Sequence, residues 1–308
     1  MTHFTKSIAI TAAGILLAHS GKAGVFTDNF ESYSLGSGTI PGAAYTVEGF
    51  WEVTYDGSFA GGSQVAHGTA SQRNFLVDLT PTTLSVGDSI WVQFDYRYTG
   101  APTKSAQSNF IRFGLYGAQG TSSYTGDIGY QASLTYYKNG TPGTGGYYDL
   151  RYENNTAPGG DIAGLLLDNM PGVLTAGSPS DGNSFASMLK TTDDGTGVHT
   201  VRLEIQRGAT TMDLKLYHDN LTTPKLIGSA TSGIGTFPVN FDQFVLESAA
   251  NTSAGSSVNI DNLSIGSTAV PEPSEYAATA AIGLAGWAAW RRRRGAAVRG
   301  KAAGASVG

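Results

Sequence analysis

The feature that most constrains this chain is an alternation of apolar and polar residues with a period of two. In Val201–Gln206 every second residue is apolar, and after a short turn the pattern returns at Met212, Leu214 and Leu216. A period of two places successive side chains on opposite faces of a strand, so that one face can be buried. The segment therefore predicts a β-hairpin with one buried face.

The same alternation recurs along the chain, and its segments are separated by Gly, Asn, Asp, Pro and Thr. Glycine makes up 42 of 308 residues and charged residues 14%, which favours many tight turns and few charged helices. We expect a helix only at 184–190 and a linker only at 266–270. The pattern predicts an all-β fold, an antiparallel β-sandwich, with strands at 44–55, 73–79, 90–98, 111–115, 127–137, 148–152, 201–206, 212–216, 224–229, 241–247 and 256–265.

The N-terminus has the features of a signal peptide. Lys6 precedes an apolar run at 8–18, which is too short to span a bilayer, and the small residues Gly21 and Ala23 follow it. We expect export, and cleavage by signal peptidase after Ala23.

The C-terminus combines a short motif, an apolar segment and a basic cluster. The apolar segment at 275–290 is about the length of a marginal membrane-spanning helix, at about 1.5 Å per residue against a hydrocarbon core of about 30 Å. A basic cluster fixes its end on the cytoplasmic side. The predicted organisation is a signal peptide at 1–23, an exported domain at 24–266, and a tail at 267–308 with the motif Pro271, Glu272, Pro273 and the cluster Arg291, Arg292, Arg293, Arg294.

This order of motif, apolar helix and arginines resembles the PEP-CTERM sorting domain of Gram-negative bacteria. The resemblance implies that an exosortase recognises Pro271–Pro273, cleaves nearby, and releases or re-anchors the exported part at the cell envelope, often alongside exopolysaccharide. It implies export across the inner membrane and a transient membrane anchor, followed by a location in the envelope or outside the cell. The chain departs from the usual pattern because 295–308 follow the arginines.

Charge and cysteine content exclude several functions. Residues 24–270 contain 11 basic and 22 acidic side chains, a net charge of −11 with neutral histidine, which repels nucleic acid. The chain has no cysteine, so disulfides, thiolate metal sites and cysteine nucleophiles are excluded.

Three segments resemble the concanavalin A-like, laminin-G-type jelly rolls. They are Thr27–Glu31 at the start of the domain, Val198–Leu203 before the hairpin, and Asn259–Ile265 at the end. The resemblance implies that the first and last strands pair. Alternation slips by one residue at Asp261–Asn262, which predicts a β-bulge there.

The acidic residue at the predicted bulge is a candidate ligand for a cation. Asp261, together with Asp28 or Glu31 of the paired strand, could hold a structural calcium ion, which takes six to eight oxygen ligands. The alternative is ordinary turn-type hydrogen bonding by Asp and Asn. His199 and His218 flank the hairpin and pose a similar choice between a metal pair and packing. The sequence requires no other cofactor.

Catalytic patterns are absent. Glycoside hydrolases with this type of fold need two carboxylates across the scissile bond, and the spacing Glu-x-Asp-x-x-Glu does not occur. Glu48 and Glu52 could share a strand face, although a solvated face explains them as well. Nucleophile-elbow, phosphate-loop and His-Glu-x-x-His motifs are missing too. We expect no enzymatic activity.

Several aromatic residues are candidates for stacking on sugar rings, with core packing as the alternative: Trp51, Trp91, Tyr147 and Tyr148. The sequence thus predicts an exported envelope or matrix protein whose β-sandwich is non-catalytic and binds glycan weakly. The alternatives are a diverged glycoside hydrolase of the same fold and a purely structural, self-assembling subunit.

Overall fold

The computed structural model describes residues 23–36, 45–48, 51–60, 63–69, 73–99, 108–117, 128–137, 146–154, 165–166, 189–191, 196–231, 239–249, 257–269, 281 and 283–292. The chain divides into two compact units. One comprises Lys22–Ala269, and the other comprises the two termini, Met1–Gly21 and Val270–Gly308.

The Lys22–Ala269 unit is an antiparallel sandwich of two eight-stranded sheets. Sheet A has the order β14-β13-β12-β6-β16-β4-β3, with β1 also paired to β16. Its strands are β1 (Ala23–Asp28), β3 (Trp51–Asp56), β4 (Ser63–Thr69), β6 (Ser89–Tyr98), β12 (His199–Arg207), β13 (Thr211–His218), β14 (Leu226–Thr231) and β16 (Ser257–Thr268).

Sheet B has the order β10-β9-β8-β7-β15-β5-β2, with β11 also paired to β9. Its strands are β2 (Tyr45–Glu48), β5 (Arg73–Thr83), β7 (Ser108–Gly117), β8 (Ile128–Tyr137), β9 (Gly146–Asn154), β10 (Leu165–Leu166), β11 (Leu189–Thr191) and β15 (Asn240–Ala249). The all-β antiparallel sandwich predicted from the alternation is confirmed.

The core lies between the sheets and is built from alternate residues of each strand. In β6 the buried positions are strictly every second residue, from Ile90 to Tyr98. Phe94 of sheet A meets Phe113 of sheet B with ring centroids 4.9 Å apart and nearly perpendicular, a favourable edge-to-face arrangement. The hairpin predicted at 201–216 forms as β12 and β13, with Leu203 opposite Leu216.

The first and last strands pair as predicted, because Asp28 of β1 lies opposite Leu263 of β16. The predicted bulge is also confirmed. The register of β16 against β6 shifts between Asp261 and Ser264, and Asn262 adopts a left-handed φ of 51°. Asparagine tolerates this conformation better than most residues, which explains its place in the bulge.

Other predictions need correction. The segment 44–55 is two strands in different sheets, so Glu48 and Glu52 do not share a strand face. Leu189–Thr191 is a strand rather than the end of a helix, and 184–188 lie outside the described residues. The last strand runs to Thr268, through most of the expected linker.

In the C-terminal unit, residues 281 and 283–292 are helical. Among the described residues, no helix has the length and apolarity needed to cross a membrane. The motif Pro271, Glu272, Pro273 and the residues Arg293 and Arg294 lie outside the described part of the chain. At the other end, strand β1 begins at Ala23, the residue of the predicted cleavage.

Candidate functional site

The outer face of sheet B, which points away from the core, is buried and carries polar side chains beside a small apolar cluster of Leu76, Tyr116 and Val245. Its central line, which we call the outer row, consists of Glu247, Arg112, Ser133 and Asp149, which lie opposite one another across β15, β7, β8 and β9. Three of the four are buried, and Arg112 is 20% exposed. Because inward and outward residues alternate along a strand, this polar line is the reverse side of the apolar core.

Arg112 is the partly exposed member of the row. Its Nη1 donates to Glu247 Oε2 at 3.3 Å, and its guanidinium carbon lies 4.5 Å from the centroid of the Phe110 ring. An arginine held by a carboxylate and an aromatic face keeps a fixed orientation. Arg112 therefore presents a positioned, partly solvated donor group beside Ser133.

A second group on the same face, the outer cluster, comprises Tyr116, Gln131 and Gln243. The Tyr116 ring lies flat on the sheet, since a Cβ added at Gly114 or Gly129 would come within 2.8 Å or 2.4 Å of it. The Tyr116 ring can pack flat against the sheet only because neither position carries a Cβ. The Tyr116 hydroxyl donates to Gln131 Oε1 at 2.9 Å.

Gln243 is the unusual member of the cluster. It follows directly on a register shift in β15 between Phe241 and Gln243, and such bulges re-aim side chains. It is fully buried, and neither its Oε1 nor its Nε2 has a hydrogen-bond partner among the described residues. The same holds for the Ser133 hydroxyl. Each buried polar group without a hydrogen-bond partner lowers the free energy of unfolding by about 1–3 kcal/mol. Two such side chains on one face therefore mark a place where a ligand can supply the missing hydrogen bonds.

Two of the predicted stacking residues belong to the core. Trp51 is fully buried, packs 5.3 Å from the Phe75 ring centroid, and covers Gly68. Tyr148 is 4% exposed and stacks on the His218 ring at 5.0 Å. Neither ring has a face open to a sugar, so the packing interpretation holds for both.

The other two aromatic candidates differ from these. Trp91 lies on the outer face of sheet A, where its ring rests against Gly266 and the Arg202 guanidinium lies 4.7 Å from its centroid. It is half-buried and engaged by the sheet. The backbone of Tyr147 belongs to β9, and its side chain lies outside the described residues.

The three carboxylates predicted for calcium are each held by protein donors. Asp28 accepts from the Phe30 backbone N–H at 2.7 Å and the Tyr33 hydroxyl at 2.5 Å. Glu31 Oε1 accepts from the Gln64 N–H at 2.8 Å, and Asp261 Oδ1 accepts from its neighbour's N–H at 2.7 Å. The bonds of Asp28 and Asp261 to nearby backbone N–H groups are the turn-type bonds of the alternative interpretation, whereas that of Glu31 is long-range. A calcium site at these residues remains a prediction.

The environment of Asp261 is electrostatically unfavourable for a charge. Burial raises the pKa of this carboxyl; hydrogen bonds from Asn262 and Ser63 act to lower it, while the nearby charges of Asp95 and Glu31 raise it further, so that the net shift is upward. Asp95 stands directly opposite Asp261 across the bulge. Burial, which disfavours the charged form, is the main reason that the proton is retained more strongly there, and the neighbouring carboxylates add to it.

The hairpin histidines do come together. Among the described residues, His199, His218 and Asp219 form a group whose ligand atoms all lie within 4.8 Å of one another. The sequence indicated the two histidines through their positions at the ends of the hairpin. Asp219 was missed because its role depends on the backbone turn after β13.

No protein-family profile and no curated protein matches the chain. The metal-free Emp46p carbohydrate recognition domain is similar, with a TM-score of 0.46 and 12% identity over 78% of this chain and 95% of that one. Peanut lectin gives 0.44 and 13% over 81% and 100%. An endo-1,3-beta-glucanase from Streptomyces sioyaensis gives 0.44 and 12% over 82% and 98%. TM-scores below 0.5 assign no ligand or activity.

Proposed function

We propose that this chain is an exported, exosortase-sorted component of the cell envelope or extracellular matrix, whose β-sandwich binds a glycan on the outer face of sheet B without catalysis. The observation that carries the binding part is the buried Gln243 carboxamide, which, like the Ser133 hydroxyl, has no hydrogen-bond partner among the described residues. Carboxamides and hydroxyls are groups with which the many hydroxyls of a carbohydrate can form hydrogen bonds.

Access to this face is uneven. Within the outer row Glu247, Ser133 and Asp149 are buried, and Arg112 is 20% exposed. A glycan would therefore approach at Arg112, whose guanidinium can donate to its hydroxyls.

A binding test follows directly. The full-length chain is assayed on a glycan array and against insoluble polysaccharides, and the best ligand is then titrated against Gln243→Leu. Loss of its hydrogen bonds should weaken binding about tenfold, the equivalent of about 1.4 kcal/mol. The matched control is Gln93→Leu, on the outer face of sheet A in β6, which should bind as the parent does. Equal affinities for all three proteins would contradict the assignment of this face.

A diverged hydrolase would need two carboxylates close enough to act on one glycosidic bond. Glu247 and Asp149, the buried carboxylates of the outer row, are three strand positions apart, or about 14 Å at the strand spacing. Glycosidase pairs are separated by about 5–9.5 Å. This supports binding without hydrolysis. Release of reducing ends from the bound polysaccharide, abolished by Glu247→Gln, would establish the hydrolase instead.

A structural, self-assembling subunit is the third candidate, and one observation favours it. The edge strands of sheet A, β3 and β14, each carry an exposed apolar side chain, Tyr55 at 62% and Ile227 at 51%. Exposed edges of this kind can pair with another chain. Sedimentation of the full-length chain with and without Ile227→Lys tests it: concentration-dependent assembly that the lysine abolishes would support edge pairing, and a monomer in both would exclude it.

Sorting rests on the order of motif, apolar segment and arginines at the end of the chain. Replacing Pro271, Glu272 and Pro273 by alanine should leave a membrane-retained precursor in a host that has an exosortase. The control replaces Gly304 and Ser306 by alanine, beyond the basic cluster. Unchanged mature size and location in the motif variant would show that the motif is not recognised.

A further inference from the structure

Two histidines occupy core-facing positions at one end of the sandwich. Along β12 the inward residues are Ile205, Leu203 and Val201, and the next inward position is His199; along β13, His218 follows Leu214 and Leu216 in the same way. Their rings are 4.8 Å apart. The apolar layer between the sheets therefore ends in a pair of imidazoles.

Asp219 is the third member of this group. It follows His218 in a left-handed conformation, with φ at 59°, and its N–H donates to the Thr200 carbonyl at 2.8 Å. The Thr200 N–H in turn donates to Asp219 Oδ1 at 3.2 Å. This turn directs the carboxylate back over both rings.

The three side chains converge on one oxygen. Asp219 Oδ2 lies 3.0 Å from His199 Nδ1 and 3.1 Å from His218 Nδ1. Around a tetrahedral ion with bonds of 2.0–2.1 Å, neighbouring ligand atoms are about 3.3 Å apart. Asp219 Oδ2 is thus within a few tenths of an ångström of this separation from both nitrogens. The ligand atoms of the two histidines lie within 4.8 Å of each other, so the imidazoles would move together by up to about 1.5 Å to bind one ion.

The far side of His218 is already supported. Its Nε2 lies 2.9 Å from the hydroxyl of Tyr96 in sheet A, and 3.5 Å from that of Tyr148 in sheet B. A tyrosine hydroxyl can either donate or accept. When Nδ1 binds a cation, Nε2 carries the proton and donates it to Tyr96, which is the kind of outer partner that orients ligating histidines.

We propose that His199, His218 and Asp219 form a binding site for a divalent transition-metal ion of the zinc class at this end of the sandwich. Two imidazoles and one carboxylate suit such ions, whereas calcium takes six to eight oxygens. His218 is buried and Asp219 is 52% exposed. The ion would thus be covered by protein on one side and keep a coordination position open to solvent on the other.

Zinc chloride added to the full-length chain tests the proposal by calorimetry and thermal melting. Zinc should bind with one ion per chain and raise the melting temperature increasingly with its concentration, and calcium chloride should do neither. His199→Gln and Asp219→Asn should each weaken zinc binding more than tenfold, and Tyr96→Phe about 10- to 100-fold. His67→Gln, a histidine on the outer face of sheet A, should bind zinc as the parent does.

Because His199 and Asp219 are the more exposed ligands, their variants should keep the parent's urea midpoint in the presence of a chelator, which separates lost binding from lost folding. The absence of zinc binding by the parent would overturn the proposal. So would zinc affinity retained in folded His199→Gln and Asp219→Asn.

Discussion

The outer faces of the two sheets are both polar, and they differ in whether their polar groups have partners. On sheet A, Asp56 accepts from Arg97 at 3.1 Å and from the Asn259 amide at 2.5 Å, and Asn259 Oδ1 lies 2.5 Å from His67 Nδ1. A neighbouring group joins Asp95 to Thr200 and Asn262. These side chains hydrogen-bond to one another across five strands, although Arg97 Nε and Arg202 Nε are buried without a partner among the described residues.

On sheet B, the Gln243 carboxamide and the Ser133 hydroxyl are more deeply buried than most of these groups and make no hydrogen bond to the described residues. A satisfied polar network adds stability, whereas a buried unsatisfied group lowers it and persists where it has another use. The contrast favours a structural role for the outer face of sheet A and supports the binding role proposed for that of sheet B.

The largest effect is expected at Asn259, which is buried at the centre of the sheet A network. Asn259→Leu should lower the free energy of unfolding by about 2–4 kcal/mol, because it leaves Asp56 and His67 each short of a partner at about 1–3 kcal/mol apiece. Urea denaturation of the full-length chain measures this. The exposed Asn240→Leu provides the control and should stay within about 0.5 kcal/mol. If both variants unfold at the same urea concentration, the sheet A network adds nothing to stability.

A smaller effect of opposite sign is expected at Gln243. In the absence of glycan, Gln243→Leu should raise the free energy of unfolding by about 1–2 kcal/mol, because an apolar side chain of similar volume replaces an unsatisfied carboxamide. The same urea titration measures it, with Gln93→Leu as the matched control. A loss of stability at Gln243 would mean that its amide is satisfied in solution, and the contrast between the faces would disappear.

Much of the fold was predictable because its signal is local. The alternation at 90–98 and 201–216 specifies strands and their buried faces without reference to the rest of the chain. The bulge at Asp261–Asn262 was predictable for the same reason, since one inserted residue exchanges the two faces. Strand β4, Ser63–Thr69, was missed because it contains few aliphatic residues and is ordered mainly by its pairing with β3 and β16.

The candidate sites depend on non-local relations. Gln131 and Ser133 alternate with Tyr130, Ala132 and Leu134, so the sequence predicts an ordinary solvated face. The register of Ser133 with Arg112 and Glu247 arises only when β15, β7 and β8 pair, and the burial of Gln131 and Ser133 has no local signal in the sequence. Trp51 and Tyr148 show the converse: each has the residue type of a sugar platform, and its strand places it in the core.

The smallest expected effect is on the pH dependence of stability, and it differs between two carboxyl groups on the outer face of sheet A. The folded-state pKa of Asp261 is raised, first by burial, so the stability linked to its proton is present at low pH and is lost as pH rises through that pKa. For Asp56, burial acts to raise the pKa, but hydrogen bonds from Ser58 and Asn259 and the charge of Arg97 lower it overall. Its contribution is present above the unfolded-state pKa and is lost as pH falls.

Asp261→Asn should therefore stabilise the protein at pH 7 by less than the Gln243 change, and the gain should fade toward pH 4 as the parent carboxyl takes up its proton. Asp56→Asn should do the reverse, with a loss at pH 7 that shrinks on acidification, because the charge that Arg97 and Asn259 stabilise is removed. Melting temperatures of the parent and both variants at several pH values between 4 and 7 measure the two slopes. Slopes of the same sign would show that the carboxylates of this face act as one coupled group, rather than as a satisfied network beside a strained bulge.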